Sequence, residues 1–430
     1  MTERKIEVKA LTRVEGEGGL YVRMRDNRVD DIRLTIYEPP RLFEKLLEGR
    51  QLEDTPDIVA RICGICPVAY QMSSVHALEM ALGITSTPEV RQLRRLLYCG
   101  EWIESHALHV YLLNIPDFLG YDSGLEMAAD YPDEVNRGLR MKKHGNALLE
   151  VLGGRAIHPV NVAVGGFYRA PARMELRKLI PDLEWCIEAA AETVRWVSTF
   201  DFPDFTQDYQ FVSVSHPDEY PMNEGAVVTS NNESIPVTDF EDEFEERHVE
   251  HSTALQSVRK KTGETYFLGP MARVNLNLDR LSPMARKLAD EVGVDWPCGN
   301  PYKNIIARSL EIVHAFEEAV SIIRDYKTFS PSRAEYTYQA GEGCSATEAP
   351  RGLLYHRYIV DDEGRIKHAV IIPPTSQNQA QIESDLRNWV PRVIDQDDAT
   401  VARSCEDLVR TYDPCISCST HFLKLELDRG

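Results

Sequence analysis

The feature that most limits how this 430-residue chain can fold is a pair of Cys-x-x-Cys motifs standing at its two ends. The first is Arg61-Ile62-Cys63-Gly64-Ile65-Cys66-Pro67, and the second is Asp413-Pro414-Cys415-Ile416-Ser417-Cys418-Ser419-Thr420-His421. Two thiolates at this spacing, on a turn leading into a helix, can grip one metal or bracket two. Thiolates suit soft or borderline metals: zinc, iron, copper(I) or nickel. A structural zinc site, a redox-active dithiol and unused thiols all remain open on this reading. Zinc ribbons and fingers, however, keep their pairs close together in a small self-contained module. Here nearly the whole chain separates the pairs, so a metal joining them would be central to the fold and to its chemistry.

The composition, 43% hydrophobic and 27% charged, is ample for a large core. A net charge of −20 argues against nucleic acid as a partner, because phosphate binding needs clustered Lys and Arg. No segment approaches the roughly 18 apolar residues of a bilayer span. Residues 1–10 alternate charged and apolar side chains, without the apolar stretch of a signal peptide. Nine cysteines, an odd number in a long chain, fit a reduced, cytoplasmic setting better than a disulfide framework. A subunit without a signal of its own can still be exported on its partner's signal.

Along the chain, residues 6–10, 20–24 and 29–34 alternate with period two, with Asp26-Asn27 as a turn, which predicts an antiparallel meander within 1–40 closed by Pro39-Pro40. Helical spacing follows at 68–82, 89–113, 174–200 and 307–323. Gly153-Gly154 and Gly165-Gly166 mark tight turns or close backbone approach. Residues 203–265 read as irregular and charged, with a strand or loop at 211–214. Residues 353–372 are β-like around an Asp361-Asp362-Glu363-Gly364 turn, and a helix is expected over 376–389. With no repeat and no clean linker, residues 1–430 read as one α+β domain, predominantly helical, with small antiparallel sheets.

The residues flanking the cysteines narrow the choice. The pattern resembles nickel–iron hydrogenase large subunits, in which R-x-C-G-x-C and D-P-C-x-x-C-x-x-H are the two metal-binding signatures. Further family-like segments occur in the expected order: Thr12-Arg13-Val14-Glu15-Gly16, Ser105-His106-Ala107-Leu108-His109, Gly153-Gly154-Arg155 with His158-Pro159, Glu348-Ala349-Pro350-Arg351-Gly352 and Pro374-Thr375-Ser376. The resemblance covers nearly the whole chain. Any one segment is weak, and the ordered set is highly specific.

The resemblance implies reversible heterolytic cleavage of dihydrogen. It makes Cys63 and Cys415 terminal thiolates on nickel, and Cys66 and Cys418 bridges to iron, whose other ligands are carbon monoxide and cyanide. Cys415 would be the first proton acceptor, and Glu15 would relay the proton onward. An arbitrary glutamate at this position would be a surface carboxylate on a strand. Arg351 would lie over the open site, a role that suits a permanently charged donor fork, with Asp413 as its holder. Pro350 and Thr375 would line the diatomic pocket. Glu44 and His421, with the backbone carbonyl near Ile371, match positions that hold a magnesium ion; the bland reading of Glu44 is a helix surface. His106, His109 and His158 are assigned to packing and proton-network support, and Cys99, Cys186, Cys298, Cys344 and Cys405 to inert thiols.

Two departures concern tuning of the site. Tyr70 stands where many relatives carry a histidine, and Ser105 where some have an aspartate. The 61–72 stretch resembles the cytoplasmic, bidirectional hydrogenases linked to NAD(P), also called sulfhydrogenases. Residues 422–430 match an extension that a maturation protease removes. No iron–sulfur motif and no G-x-G-x-x-G fingerprint remains. Electrons therefore need a small subunit carrying iron–sulfur clusters, and in this subgroup FAD-containing diaphorase subunits that reach NAD(P). Rival readings are a hydrogenase serving a deazaflavin or a heterodisulfide reductase, a zinc-stabilised scaffold, and a complex I-type subunit; four intact cysteines speak against the last.

Overall fold

The computed structural model describes residues 3–25, 28–39 and 41–420. The chain opens on the expected meander of Glu3–Val8, Gly18–Arg25 and Arg28–Ile36. Its register sets Ile6 and Ile32 on either side of Val22, and Leu34 beside Leu20, so one face is apolar and buried. The first strand ends at Val8, two residues short of the expectation. The Asp26-Asn27 turn and Pro40 lie outside the described residues.

Helices follow at Pro67–Leu82, Pro88–Leu108, Asn304–Asp325 and Pro374–Val393, where the apolar spacing predicts them. The expected helix over 89–113 changes character near its end. His109–Asn114 widens into a π-helical turn, a local distortion often found at functional sites. The stretch 174–200 divides into Arg173–Arg177 and Ile180–Val197, because Pro181 can occupy the start of a helix but not its interior.

The 22-residue helix Pro132–Gly153 is absent from the sequence reading. Its glycines disguise it and also explain it. A Cβ at Gly138 would lie 2.3 Å from the Tyr111 ring, and one at Gly145 would lie 2.9 Å from the Gly100 carbonyl oxygen. The missing side chains let this helix close on Pro88–Leu108, which outweighs glycine's cost in a helix.

Residues 203–265 are also more ordered than expected. Val212–Ser215, Ala226–Thr229 and Ser234–Ile235 form one antiparallel sheet, and Phe244–Arg247 pairs with Gln256–Arg259. Strands of four residues or fewer are too short to show a period. The charges that made the region look irregular are paired across it: Arg259 donates to Glu233 (2.6 Å) and to Glu243 (3.1 Å). A small apolar cluster closes the region, with Phe240 stacked on Tyr355 at 4.4 Å between ring centroids.

The other sheet is Gly341–Ala349, Gly352–Val360 and Ile366–Ile372, all antiparallel. Ala349 pairs with Gly352, so Pro350 and Arg351 alone form the corner of its first hairpin. One continuous core cluster runs from Ile6 to Cys418. Among the described residues, no helix is long and apolar enough to cross a membrane.

Candidate metal centre

The two chain ends meet at the four cysteines. Cys63 follows a short helical turn, Ala60–Ile62, in extended conformation, and Cys66 caps the helix that begins at Pro67. The backbone N–H groups of Ile65 and Cys66 donate to the Cys63 sulfur at 3.3 and 3.2 Å. From the other end, the helix Asp398–Thr411 stops at Tyr412, and Asp413 turns the chain with a positive φ of 55°. Cys415 then pairs in parallel with Glu15: the Ile416 N–H donates to the Glu15 carbonyl at 2.9 Å. Arg13, two residues before Glu15, adopts the same left-handed conformation (φ 56°) as Asp413, two residues before Cys415. A charged node locks these turns together. Arg410 grips both oxygens of Asp117 at 2.9 Å and the Thr12 carbonyl at 3.1 Å, and Arg13 donates to the same Asp117.

The four sulfurs lie within 4.8 Å of one another and are buried. Cys63 Sγ is 3.5 Å from Cys415 Sγ, which is 2.7 Å from Cys418 Sγ. None of the nine cysteines, all of them among the described residues, forms a disulfide. Four thiols at this spacing cannot all ionise without a cation among them, because like charges in a dry site repel. Burial pushes Cys415 and Cys418 up. Cys66 is relieved by its hydrogen bond with Cys415, yet its contacts with Cys418 and Cys63 hold it well above an ordinary thiol. Cys63 goes the other way. Burial opposes its charge, but hydrogen bonds from Cys415, Cys418 and Cys66, with the Arg351 guanidinium nearby, hold it well below the usual thiol range. The set is chemically suited to soft cations.

Two buried polar atoms beside the sulfurs have no hydrogen-bond partner among the described residues: Arg351 Nη1 and Tyr70 Oη. Arg351 is otherwise fixed, since Nε donates to the Asp413 carbonyl at 2.8 Å and Nη2 to Asp413 Oδ1 at 3.1 Å. Burial works against the Asp413 charge, and the Arg351 and Arg308 guanidiniums outweigh it, holding its carboxyl below the usual range. Donors left open beside a thiol cluster fit anionic ligands on a bound metal.

The remaining predicted site residues fall as follows. Glu15, half-buried, accepts from Cys415 Sγ and from the Ser417 N–H on the same oxygen, each at 3.1 Å. Thr375 Oγ1 accepts the Cys415 N–H at 3.0 Å, which leaves its own hydrogen free to point elsewhere. Pro350 is buried at the hairpin corner. Glu44 lies against Ile371 and takes its N–H at 2.7 Å; His421 lies outside the described residues, as do residues 422–430. His106 Nε2 is 2.9 Å from Glu311, His109 Nε2 donates to the Arg410 carbonyl (2.8 Å), and His158 Nδ1 donates to the Ala60 carbonyl (2.7 Å). Burial holds His106 at about 4 and His109 at about 3, so both are neutral at ordinary pH. The five other cysteines lie away from the cluster, four buried and Cys344 partly so.

Sequence reasoning missed the buried ions around the site. Arg273, Arg308 and Glu311 sit on helices that are buried nearly all round, and all are fully buried. The available signal was charge within otherwise apolar helices, which demands a partner. Glu101 was also missed. Its carboxylate accepts the N–H groups of Val68 (2.6 Å) and Ala69 (3.0 Å), in the first turn after Cys66. Burial pushes its carboxyl well up, against those two donors. Glu101→Ala strands both donors and is expected to lower stability by about 2–4 kcal/mol, read as a lower Tm, with Glu101→Gln intermediate.

Comparison with known proteins adds a consistent set of likenesses. A family model described as nickel-dependent hydrogenase matches residues 41–136 and 269–421. The sulfhydrogenase 1 alpha subunit of Pyrococcus furiosus is 35% identical over 433 residues, covering 98% of each chain. The sulfhydrogenase 2 alpha subunit of the same organism is 34% identical, covering 98% of this chain and 100% of that one. Among solved structures, an NAD+-reducing [NiFe]-hydrogenase in the H2-reduced state superposes with a TM-score of 0.89. That likeness is at 24% identity and spans 97% of this chain and 99% of that chain.

Proposed function

This chain belongs to the nickel-dependent hydrogenase family, and from that premise we propose that its four-thiol cluster holds a nickel–iron pair at which dihydrogen is reversibly cleaved to protons and electrons. The observation that carries the reading is the convergence of four buried sulfurs from the two chain ends, with a carboxylate 3.1 Å from one of them. Cys63, Cys66, Cys415 and Cys418 would hold the metal pair, with Cys63 and Cys415 on nickel and Cys66 and Cys418 shared with iron. When bound, the metal pair supplies the Lewis acidity that polarises dihydrogen and the first store for its electrons.

The chain's own residues manage the proton and the pocket. Cys415 Sγ takes the proton, and Glu15 Oε2 receives it across 3.1 Å. The Ser417 N–H on the same oxygen keeps that carboxylate aimed at the sulfur. Beyond it, Ser417 Oγ donates to Glu38 Oε1 (3.1 Å), which brings a half-buried carboxylate to the outer side of the relay. Arg351 presents Nη1 to the cluster, where a fixed donor can hold a cyanide on iron. Thr375 would offer its hydroxyl hydrogen to a cyanide, and Pro350 would line the same pocket. Glu44, the Ile371 carbonyl and, outside the described residues, His421 would hold magnesium, a reading supported by the nearness of Glu44 to Ile371.

Electrons leave through a small subunit carrying iron–sulfur clusters, and then through FAD-containing diaphorase subunits to NAD(P). The alpha-subunit names of the relatives support a multi-subunit assembly, and the NAD+-reducing hydrogenase structure supports that acceptor. Exposed Ile157, Val160 and Tyr168, beside the segment whose His158 bonds Ala60, give the small subunit an apolar face near Cys63. Nine cysteines without a disulfide suit a cytoplasmic setting, and the continuous core supports one domain over 1–430. A maturation protease would leave His421 as the last residue, which an intact-mass measurement reads directly.

Purified with its partners, the enzyme is expected to contain nickel, with iron in excess of it because the partner's clusters add their own, and to show infrared bands of iron-bound carbon monoxide and cyanide. Zinc in place of nickel, with no such bands, would overturn the reading in favour of a scaffold.

A further inference from the structure

We propose that Arg273 is the positioning residue for Arg351, fixing the hairpin corner from which Arg351 faces the four sulfurs. The inference rests on the reading of Arg351 given above.

The corner cannot hold itself in the usual way. Two-residue hairpin loops favour primed turns, whose first central residue has positive φ. Pro350 occupies that position, and its ring locks φ near −65°. Arg351 is not among the residues of positive φ either. The corner therefore lacks the turn geometry that matches strand twist, and its conformation has to be imposed from outside.

Arg273 imposes it. The residue is fully buried on the helix Pro270–Asn277, and every N–H of its guanidinium is used. Nη1 donates to the Ala349 carbonyl and to Glu348 Oε2, both at 2.9 Å. Nη2 donates to the Pro350 carbonyl at 2.9 Å and to Glu311 Oε2 at 2.7 Å, and Nε donates to Glu311 Oε1 at 2.7 Å. Its plane lies over the Trp102 ring, 4.4 Å from the centroid, and the Trp102 indole N–H donates to the Glu348 carbonyl at 3.1 Å. Three consecutive carbonyls, of Glu348, Ala349 and Pro350, are thus gripped immediately before Arg351. The same helix closes the other side. Gly269, at its start, has φ +108°, and an added Cβ there would lie 2.9 Å from the Arg351 carbonyl oxygen.

The device works through geometry. The two carboxylates, Glu311 and Glu348, balance the buried guanidinium and orient it, so that its remaining donors meet the corner's carbonyls. Asp413 then holds the Arg351 side chain by Nε and Nη2, leaving Nη1 for the cluster. A lysine at 273 would keep the charge but lose the fork that spans two carbonyls and two carboxylates.

The test uses the complete enzyme with its partner subunits. Arg273→Lys is expected to load nickel and iron as the wild type does, to displace the cyanide infrared bands, and to lower kcat for dihydrogen oxidation about 10- to 100-fold with little change in KM. Wild-type bands and kcat in the loaded variant would overturn the proposal. So would a fall in activity that only tracks lost metal. Arg351→Lys, measured in parallel, separates the two readings. If that variant behaves as wild type, the role of Arg351 fails. If it is impaired while Arg273→Lys is not, only the present inference fails. Should Arg273→Lys not fold, Gly269→Ala decides: it pushes the corner from the opposite side, displaced bands support the proposal, and unshifted bands in the folded, loaded protein overturn it.

Discussion

Cys415→Ser is expected to abolish dihydrogen oxidation, by about 10⁴-fold or more, while the protein still folds. The large effect has two sources. A serine oxygen is a poor ligand for a soft metal, so a terminal position on nickel is lost. Its hydroxyl also cannot serve as the proton store that a thiolate next to Glu15 provides. The fold is expected to survive because the backbone at 415 is held independently of the side chain. The Cys415 N–H donates to Thr375 Oγ1 at 3.0 Å, and the neighbouring Ile416 N–H donates to the Glu15 carbonyl at 2.9 Å. Dihydrogen-dependent dye reduction, nickel content and Tm of the purified complex check all three statements. Activity within tenfold of wild type would remove Cys415 from the centre.

Glu15→Gln is the second large effect, and it differs in kind. The amide is nearly the same size and can still accept the Ser417 N–H, so the local structure and the metal content should not change. It cannot, however, take a proton from Cys415 Sγ across the 3.1 Å that separates them. Turnover is expected to fall by about 10²–10⁴-fold, the usual contribution of a positioned acid or base, with infrared bands in place. Glu15→Asp, one methylene shorter, should retain part of the activity. Full turnover in Glu15→Gln would mean that the proton leaves by another route.

These two residues show how segments far apart in the chain are brought together. Cys415 and Glu15 lie at opposite ends of the chain, yet each sits in a short segment of distinctive composition, and the structure pairs those segments as parallel neighbours. The meander and the helices with regular apolar spacing were legible for a similar reason. Each is long enough for a period of two or 3.6 to emerge. The helix Pro132–Gly153 was not, because what defines it is its contact with Pro88–Leu108, and the glycines that permit that contact weaken its local signal. The strands of 203–265 were hidden by their shortness, and by charges whose partners lie on other strands.

What the sequence determined by itself was the set of candidate groups: four thiols, a carboxylate and an arginine, in segments whose order and spacing are distinctive. What only the tertiary structure decided was how these groups are held. Arg273, Arg308, Glu311 and Glu101 carry no local motif, and their importance comes from being buried beside partners distant in the chain. The physical reason is that local sequence governs short-range backbone preference and donor chemistry. A buried charge, by contrast, is stable only where another element brings its counter-charge or its hydrogen bonds.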